Sequence, residues 1–106
     1  MSGHVYLLTE LDNEKYYKIG VTKKDDIKER LNELQTGNSS ELFIIKSFKT
    51  KYPYKLEKWL HLYFNSKHKL NEWYELESND IDNFINICEK YENMFKSLKE
   101  NPFFKK

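Results

Sequence analysis

Two short runs rich in Val, Ile, Leu and Tyr stand near the start of the chain, at residues 4–10 and 16–22. Such residues favour extended backbone, and the mostly polar residues 11–15 between the runs are typical of a turn. The two runs therefore predict a β-hairpin. A third apolar run, residues 42–48, predicts another strand.

Between the second and third runs, the apolar residues follow helical spacing. Ile27, Leu31 and Leu34 recur at i, i+4 and i+7, and acidic residues precede them, where the helix dipole favours negative charge. This pattern predicts a helix from residue 27 to about residue 34. Gly37, just beyond it, is expected to take the left-handed conformation that ends many helices.

The second half of the chain predicts two more helices. Pro53 suits the first turn of a helix because its missing N–H would be unpaired there, and this helix is expected to end near residue 65. A final helix should span about 79–100, preceded by a minor strand or connector at 72–76. The residues predicted to enter the core are Leu56, Trp59, Leu60, Tyr63 and Phe64 in the first of these helices, and Ile81, Phe84, Ile85, Cys88, Tyr91, Phe95 and Leu98 in the second.

The order strand, strand, helix, strand, helix, helix predicts an α+β fold. The length of 106 residues suits one domain that buries a single core without disulfide bonds. We expect residues 1–101 to form this domain and residues 102–106 to form a loosely held tail.

Charge is distributed unevenly in this chain of net charge +1. Residues 46–71, the basic segment, carry seven Lys and one acid, Glu57, whereas residues 72–92, the acidic segment, carry seven acids and one Lys. Aromatic residues interleave the basic segment, which suits a surface that follows a phosphate backbone and stacks on bases. A solvated helix face with its aromatic residues inside gives the same pattern, so both interpretations stay open.

Several classes of protein are disfavoured by composition. The single cysteine, Cys88, allows no intrachain disulfide and no cysteine-based zinc site. No stretch approaches the roughly 20 apolar residues that span a membrane, and the N-terminus has no signal-peptide pattern. His4, His61 and His68 lack the spacing of a transition-metal site. We therefore expect an intracellular, cytoplasmic protein without membrane contact.

Arg30 is the one arginine among 18 basic residues, and it lies among the apolar residues of the first predicted helix. A guanidinium differs from an ammonium because it is planar and can hold a phosphate or carboxylate through two parallel hydrogen bonds. Arg30 is therefore a candidate site residue. Its alternatives are a side chain extending from the edge of the core, or one paired with Asp26.

Short motifs occur along the chain in a distinctive order: His4-Val5-Tyr6, Lys18-Ile19-Gly20, Glu29-Arg30-Leu31, Leu34-Gln35-Thr36-Gly37-Asn38, Leu56-Glu57-Lys58-Trp59-Leu60-His61 and Glu72-Trp73-Tyr74. In these motifs, over about residues 3–77, the chain resembles the GIY-YIG nuclease superfamily, in the phage-type branch whose second motif reads KIG. The resemblance implies metal-dependent hydrolysis of DNA on a small three-stranded antiparallel sheet flanked by helices, here with an additional C-terminal helix. A viral or phage origin would fit this branch.

In that superfamily the first-motif tyrosine orients or deprotonates the attacking water, and Tyr6 would take this role. A phenol is a weak base near neutral pH, and a nearby cation stabilises its deprotonated form. Lys18 replaces the tyrosine of other branches, and we expect it beside Tyr6 on one sheet face. Tyr17 is adjacent and would partly share the role, although strand alternation points it to the other face.

The resemblance assigns the scissile phosphate to Arg30 and one Mg²⁺ or Mn²⁺ ion to Glu57. A single hard carboxylate suits an Mg²⁺ ion held mainly by water and phosphate oxygens. His61 lies one turn after Glu57, close enough to support it or to protonate a leaving oxygen. A hydrogen-bonded helix histidine without a catalytic role is the alternative for His61. Asn71 or Asn79 would fill a downstream asparagine role. Further substrate contacts are expected from Tyr17, Gly20, Asn38, Lys55 and Lys58.

We therefore expect a small metal-dependent endonuclease acting on DNA. The alternatives are a nucleic-acid-binding module whose catalysis is weak or lost, and a protein-interaction domain that reuses the fold. If the basic segment forms one exposed face, salt-sensitive DNA binding would separate the first two from the third. The last helix completes the core, covers the DNA face or forms a homodimer, and the sequence leaves these three open.

Overall fold

The computed structural model describes residues 2–13, 15–70 and 73–100, with side chains up to residue 98. The predicted tail 102–106 lies outside the described residues. So do Asn71, a candidate for the downstream asparagine role, and Glu72, the first residue of the last motif.

The predicted hairpin and third strand are present. They are β1, Gly3–Glu10, β2, Tyr16–Thr22, and β3, Leu42–Thr50. The connector forms a fourth strand, β4, Trp73–Glu75, so the sheet is four-stranded with the order β3-β1-β2-β4, all antiparallel. The expected count of three strands omitted this edge strand. Three residues are too few to show a period of two, and β4 is defined by its pairing with β2 and by a bridge between Tyr74 and His68.

The three predicted helices are α1, Ile27–Thr36, α2, Pro53–Tyr63, and α3, Ser78–Glu100. A short 3-10 helix, Asn65–Lys67, follows α2. The N-terminus of α1 is capped by Asp26, whose carboxylate accepts a hydrogen bond from the Lys28 backbone N–H at 2.9 Å. At the other end Gly37 has φ −96°. The predicted left-handed conformation of Gly37 is therefore wrong, and its N–H bonds to the Gln35 carbonyl instead.

Strand alternation divides the interior between the two faces of the sheet. Val5 and Leu7 of β1 face a larger core that is closed by α2 and α3, with Phe64 and Phe84 among its fully buried side chains. On the other face, Tyr6 and Leu8 join a smaller cluster under α1. The predicted apolar residues of α1, Ile27, Leu31 and Leu34, are only partly buried there.

Three of the residues predicted to enter the core remain on its border. Trp59 and Tyr63 are exposed on α2, and each makes a ring contact with Tyr91 of α3, at 5.6 Å and 6.2 Å between centroids. Leu98 is 41% exposed, one turn beyond Phe95, which is buried. Helical spacing places all three on the apolar side of their helix. In α2 and α3, however, only the part of the apolar side that meets the sheet is buried. Among the described residues, no helix combines the length and apolarity needed to cross a membrane.

Candidate functional site

An open groove of about 650 Å³ lies between α1, α2 and the sheet face that carries Tyr6. Each of the six motifs contributes at least one residue to its lining, although the motifs are spread along the chain. Seven of the ten predicted site residues line it, namely Tyr6, Lys18, Gly20, Arg30, Asn38, Glu57 and His61.

The floor of the groove is set by the register of β1 and β2. Tyr6 lies directly opposite Gly20, and Lys18 lies opposite Leu8, so Tyr6 and Lys18 are diagonal neighbours on one face. A Cβ built on Gly20 would be 2.5 Å from both Cζ and the hydroxyl oxygen of Tyr6. The tyrosine ring therefore lies across the backbone of β2, in the space that any other residue at position 20 would fill.

Arg30 reaches into the groove from α1 and meets the tyrosine. Its Nε donates a hydrogen bond to the Tyr6 hydroxyl at 3.2 Å, and its Nη1 donates to Oε1 of Glu33 at 3.3 Å. The bond to Tyr6 is the main cause that raises the pKa of Arg30, and Glu33 adds to it, while burial works in the opposite direction. The pairing of Arg30 with Asp26 is wrong, because Asp26 caps the helix.

Lys18 lies on the predicted face, and its Nζ is 4.9 Å from the centre of the Trp73 ring. This is within the range of a cation–π contact. Arg30 is a further cation at this tyrosine, and it donates a hydrogen bond to the Tyr6 hydroxyl. The sequence had named only Lys18 for this role, because motif order says which residues meet at a site but not how they pair.

The opposite wall of the groove is built from α2. Glu57 and His61 are one turn apart, with 3.7 Å between Glu57 Oε2 and His61 Nε2. The other ring nitrogen of His61, Nδ1, is 2.5 Å from the hydroxyl of Tyr74, which is buried on β4. Burial, reinforced by the charge of Glu57, raises the pKa of Tyr74. The hydrogen bond between the Tyr74 hydroxyl and Nδ1 leaves Nε2 as the ring nitrogen of His61 that faces Glu57.

The donor set for a metal ion is small. Among the described residues, no group of three or more His, Cys, Asp or Glu side chains could hold an ion. Three glutamates line the groove, Glu10, Glu33 and Glu57, and Glu33 is paired with Arg30 and Lys24. Glu57 stands at the motif position expected to hold an Mg²⁺ or Mn²⁺ ion, which would take water and phosphate oxygens as its other ligands. This arrangement suits a hard ion that keeps most of its water, and it does not suit a structural zinc site.

Three predicted substrate contacts are not brought to the groove. Tyr17 is buried in the larger core, because alternation turns it away from the face of Lys18. Lys55 comes two residues before Glu57, so its side chain leaves α2 on another side and lies 4.8 Å from the Phe95 ring centre. Lys58 is exposed on α2 outside the groove lining. Charge and motif position identified these residues, but neither specifies direction.

Two lysines of the basic segment are paired with carboxylates of the acidic segment. Lys67 donates a hydrogen bond to Asp80 at 2.8 Å, and Lys69 lies 3.3 Å from Glu75. Burial tends to raise the pKa of Asp80, but hydrogen bonds from Lys67 and the Glu77 N–H lower it below its ordinary value. The acidic segment thus neutralises part of the basic one within the fold.

Sequence reasoning missed several residues of the site. Glu33 could have been found, since it is three residues after Arg30 and therefore on the same side of α1. Trp73 and Tyr74 were identified as residues of the last motif, but no contact within the site was predicted for them. Their roles depend on the pairing of β4 with β2, which brings Trp73 opposite Lys18 and Tyr74 opposite Tyr17.

The family model of the T5orf172 domain matches residues 3–89. The chain belongs to the T5orf172 domain family. The match covers all four strands and about half of α3, farther than the motifs at 3–77, so this helix begins within the T5orf172 domain. T5orf172 is a phage-associated domain that is found in connection with endonucleases. No curated protein and no solved structure matches this T5orf172 chain.

Proposed function

We propose that this T5orf172 domain is a small endonuclease that hydrolyses DNA phosphodiester bonds at a GIY-YIG-type site, with one Mg²⁺ or Mn²⁺ ion. The observation that carries the proposal is the hydrogen bond from Arg30 to Tyr6 in a groove that also holds Glu57. The phenol of Tyr6, the guanidinium of Arg30 and the carboxylate of Glu57 converge there from three separate elements. The phage and endonuclease context of the family supports the same chemistry.

Tyr6 is the group that handles the attacking water. Its oxygen accepts the N–H of Arg30 Nε, so its own O–H must point in another direction. Because the ring is packed across Gly20, the hydroxyl has little freedom to move. A water bound to this oxygen is oriented for attack on phosphorus, and the guanidinium stabilises the negative charge that the oxygen gains if it removes the water's proton.

Arg30 binds the scissile phosphate. Arginine has five N–H groups, and the bonds to Tyr6 and Glu33 use two of them. The remaining N–H groups are available to donate to two phosphate oxygens, which gain charge in the transition state. Glu33 holds the other side of the guanidinium, and Lys24 in turn lies 3.3 Å from Glu33. This chain of contacts fixes the orientation of Arg30 before substrate arrives.

Glu57 and His61 act on the leaving side of the phosphate. Glu57 would hold the ion, which supplies positive charge to the phosphate when bound. His61 is placed to donate a hydrogen bond to the departing oxygen from Nε2, or a proton when both of its ring nitrogens are protonated. Tyr74 fixes the ring of His61 in this orientation.

Cleavage of supercoiled plasmid and of branched DNA with Mg²⁺ or Mn²⁺ tests the proposal. Wild type should nick both substrates, and Glu57→Ala should lose at least about 100-fold in rate, as expected for loss of a principal charged group of the site. Glu89→Ala, which removes an exposed carboxylate of α3, is the matched control and should cleave as wild type does. Absence of cleavage by wild type with either metal would instead favour a binding module.

DNA is the partner that this proposal requires, and a salt titration of its affinity is the accompanying test. Affinity that falls steeply with salt supports phosphate binding, whereas affinity that ignores salt would favour a protein-interaction domain. A homodimer through α3 stays a prediction. The exposed Met94 and Leu98 are the residues that it would cover, and sedimentation equilibrium would test it.

A further inference from the structure

A tyrosine outside the groove lining stands on the same side of α2 as the residues of the site. Tyr54, Glu57 and His61 are spaced i, i+3 and i+7, so they form one stripe along the helix. Tyr54 is at the N-terminal end of that stripe, about 4.5 Å along the helix axis from Glu57. Its side chain is 54% exposed.

A lysine from a different element lies over the ring of Tyr54. Lys23 follows β2 directly, and its Nζ is 5.5 Å from the ring centre. The groove lining on β2 extends as far as Val21, two residues earlier. The next residue, Lys24, is linked to Glu33 beside Arg30. Both the helix stripe and the strand therefore place the Tyr54–Lys23 pair at one end of the groove.

An exposed tyrosine is common by itself. Tyr54 is distinguished by its place on the same side of α2 as Glu57 and by its contact with Lys23. Tyr63 provides the comparison within α2, because its exposure, 53%, is nearly the same. Its ring packs against Phe64 and Tyr91, at 4.8 Å and 6.2 Å between centroids, on the side facing α3. Tyr54 instead is an exposed ring with the ammonium of Lys23 over it, on the side of α2 that carries Glu57 and His61.

We propose that Tyr54 and Lys23 form a binding site for an unstacked nucleotide of DNA, with the base on the tyrosine ring and the adjoining phosphate on the ammonium. A base can stack on a protein ring only after it has left the duplex stack, so this site requires single-stranded or branched DNA. If the proposed nuclease function is correct, on which this last step rests, the cleaved bond lies next to an unpaired nucleotide.

Binding is measured on the full chain in EDTA, so that no metal-dependent cleavage occurs. The probes are an oligonucleotide that carries 2-aminopurine, whose fluorescence is quenched when it stacks on an aromatic ring, and the duplex of the same sequence. Tyr54→Ala should bind the single strand about 5- to 150-fold more weakly, the range found when a stacking ring is removed. It should also lose the quenching while its affinity for the duplex changes less than twofold.

Three variants serve as controls. Tyr54→Phe keeps the ring and should bind as wild type does, and Tyr63→Ala removes an equally exposed tyrosine and should leave affinity and quenching unchanged. Lys23→Met should lower the salt dependence of single-strand binding by about one phosphate contact.

Several results would overturn the site: no single-strand binding by wild type, no effect of Tyr54→Ala, an equal effect on single strand and duplex, or an equal loss in Tyr63→Ala.

Failure of this site and failure of the nuclease proposal are distinguishable. If wild type cleaves DNA but Tyr54→Ala binds the single strand as wild type does, the nucleotide site is wrong and the nuclease proposal stands. If wild type never cleaves DNA but Tyr54→Ala selectively loses single-strand binding, the nucleotide site is supported and the nuclease proposal is contradicted.

Discussion

Substituting Gly20 with alanine tests how closely the position of Tyr6 controls activity. The new Cβ would lie 2.5 Å from Cζ and from the hydroxyl oxygen of Tyr6, whereas carbon atoms in contact prefer about 3.5–4.0 Å. The ring must therefore retreat by at least about 1 Å. That shift moves the hydroxyl that accepts the 3.2 Å hydrogen bond from Arg30 Nε, so the geometry of this bond changes.

Displacement of a reacting group by about 1 Å costs on the order of 100-fold in rate, so Gly20→Ala should cleave plasmid about 100-fold more slowly than wild type. The clashing atoms are the outer end of one side chain. The loss of stability in urea should therefore be near the lower end of the ~1–3 kcal/mol typical of overpacking.

Gly37→Ala is the matched control for stability, because its Cβ would meet no atom within 4 Å and its φ of −96° suits any residue. Its unfolding midpoint should equal that of wild type or exceed it slightly, since alanine reduces the freedom of the unfolded chain. If Gly20→Ala cleaved DNA at the wild-type rate, Tyr6 would not be the group that positions the water.

Three further results are expected. Tyr74→Phe should reduce cleavage about tenfold and alter the pH–rate profile, because His61 loses the hydrogen bond that orients it; an unchanged profile would remove Tyr74 from the site. Asp80→Asn should lower stability at pH 7, since Lys67 lowers the pKa of Asp80. A lowered carboxyl pKa stabilises the fold above the unfolded value of about 3.9, so the difference should vanish as pH falls below about 4 in urea titrations. Burial raises the pKa of Cys88 to about 12, so iodoacetamide at pH 8 should label it only after unfolding.

The hydrophobic pattern predicted the elements well where they were long enough to show a period. The strand Tyr16–Thr22 was predicted at both ends, and α3 was predicted within one residue at its start. The strand Trp73–Glu75 was left open, because its existence depends on a partner strand more than 50 residues earlier. The core stripes of α2 and α3 were predicted too wide, since spacing does not tell how much of a helix face the sheet will cover.

The motifs identified the groove more reliably than they identified each contact in it. Tyr6, Arg30 and Glu57 meet there, as their order along the chain had suggested. Tyr17 does not, although alternation already indicated its direction. The hydrogen bond from Tyr74 to His61 had no signal in the sequence, because it joins a buried edge strand to a helix through the tertiary fold.

The cleavage rate of Arg30→Lys tests the central claim most directly, which is that the groove holds the scissile phosphate through this guanidinium. Lysine keeps the charge but loses both the bond to Tyr6 and the paired donors to phosphate. Metal-dependent cleavage should therefore fall by about 10²- to 10³-fold. DNA affinity in EDTA should change far less, and Lys28→Met, an exposed change on the same helix, should leave the rate unchanged. Full cleavage by Arg30→Lys would contradict the account.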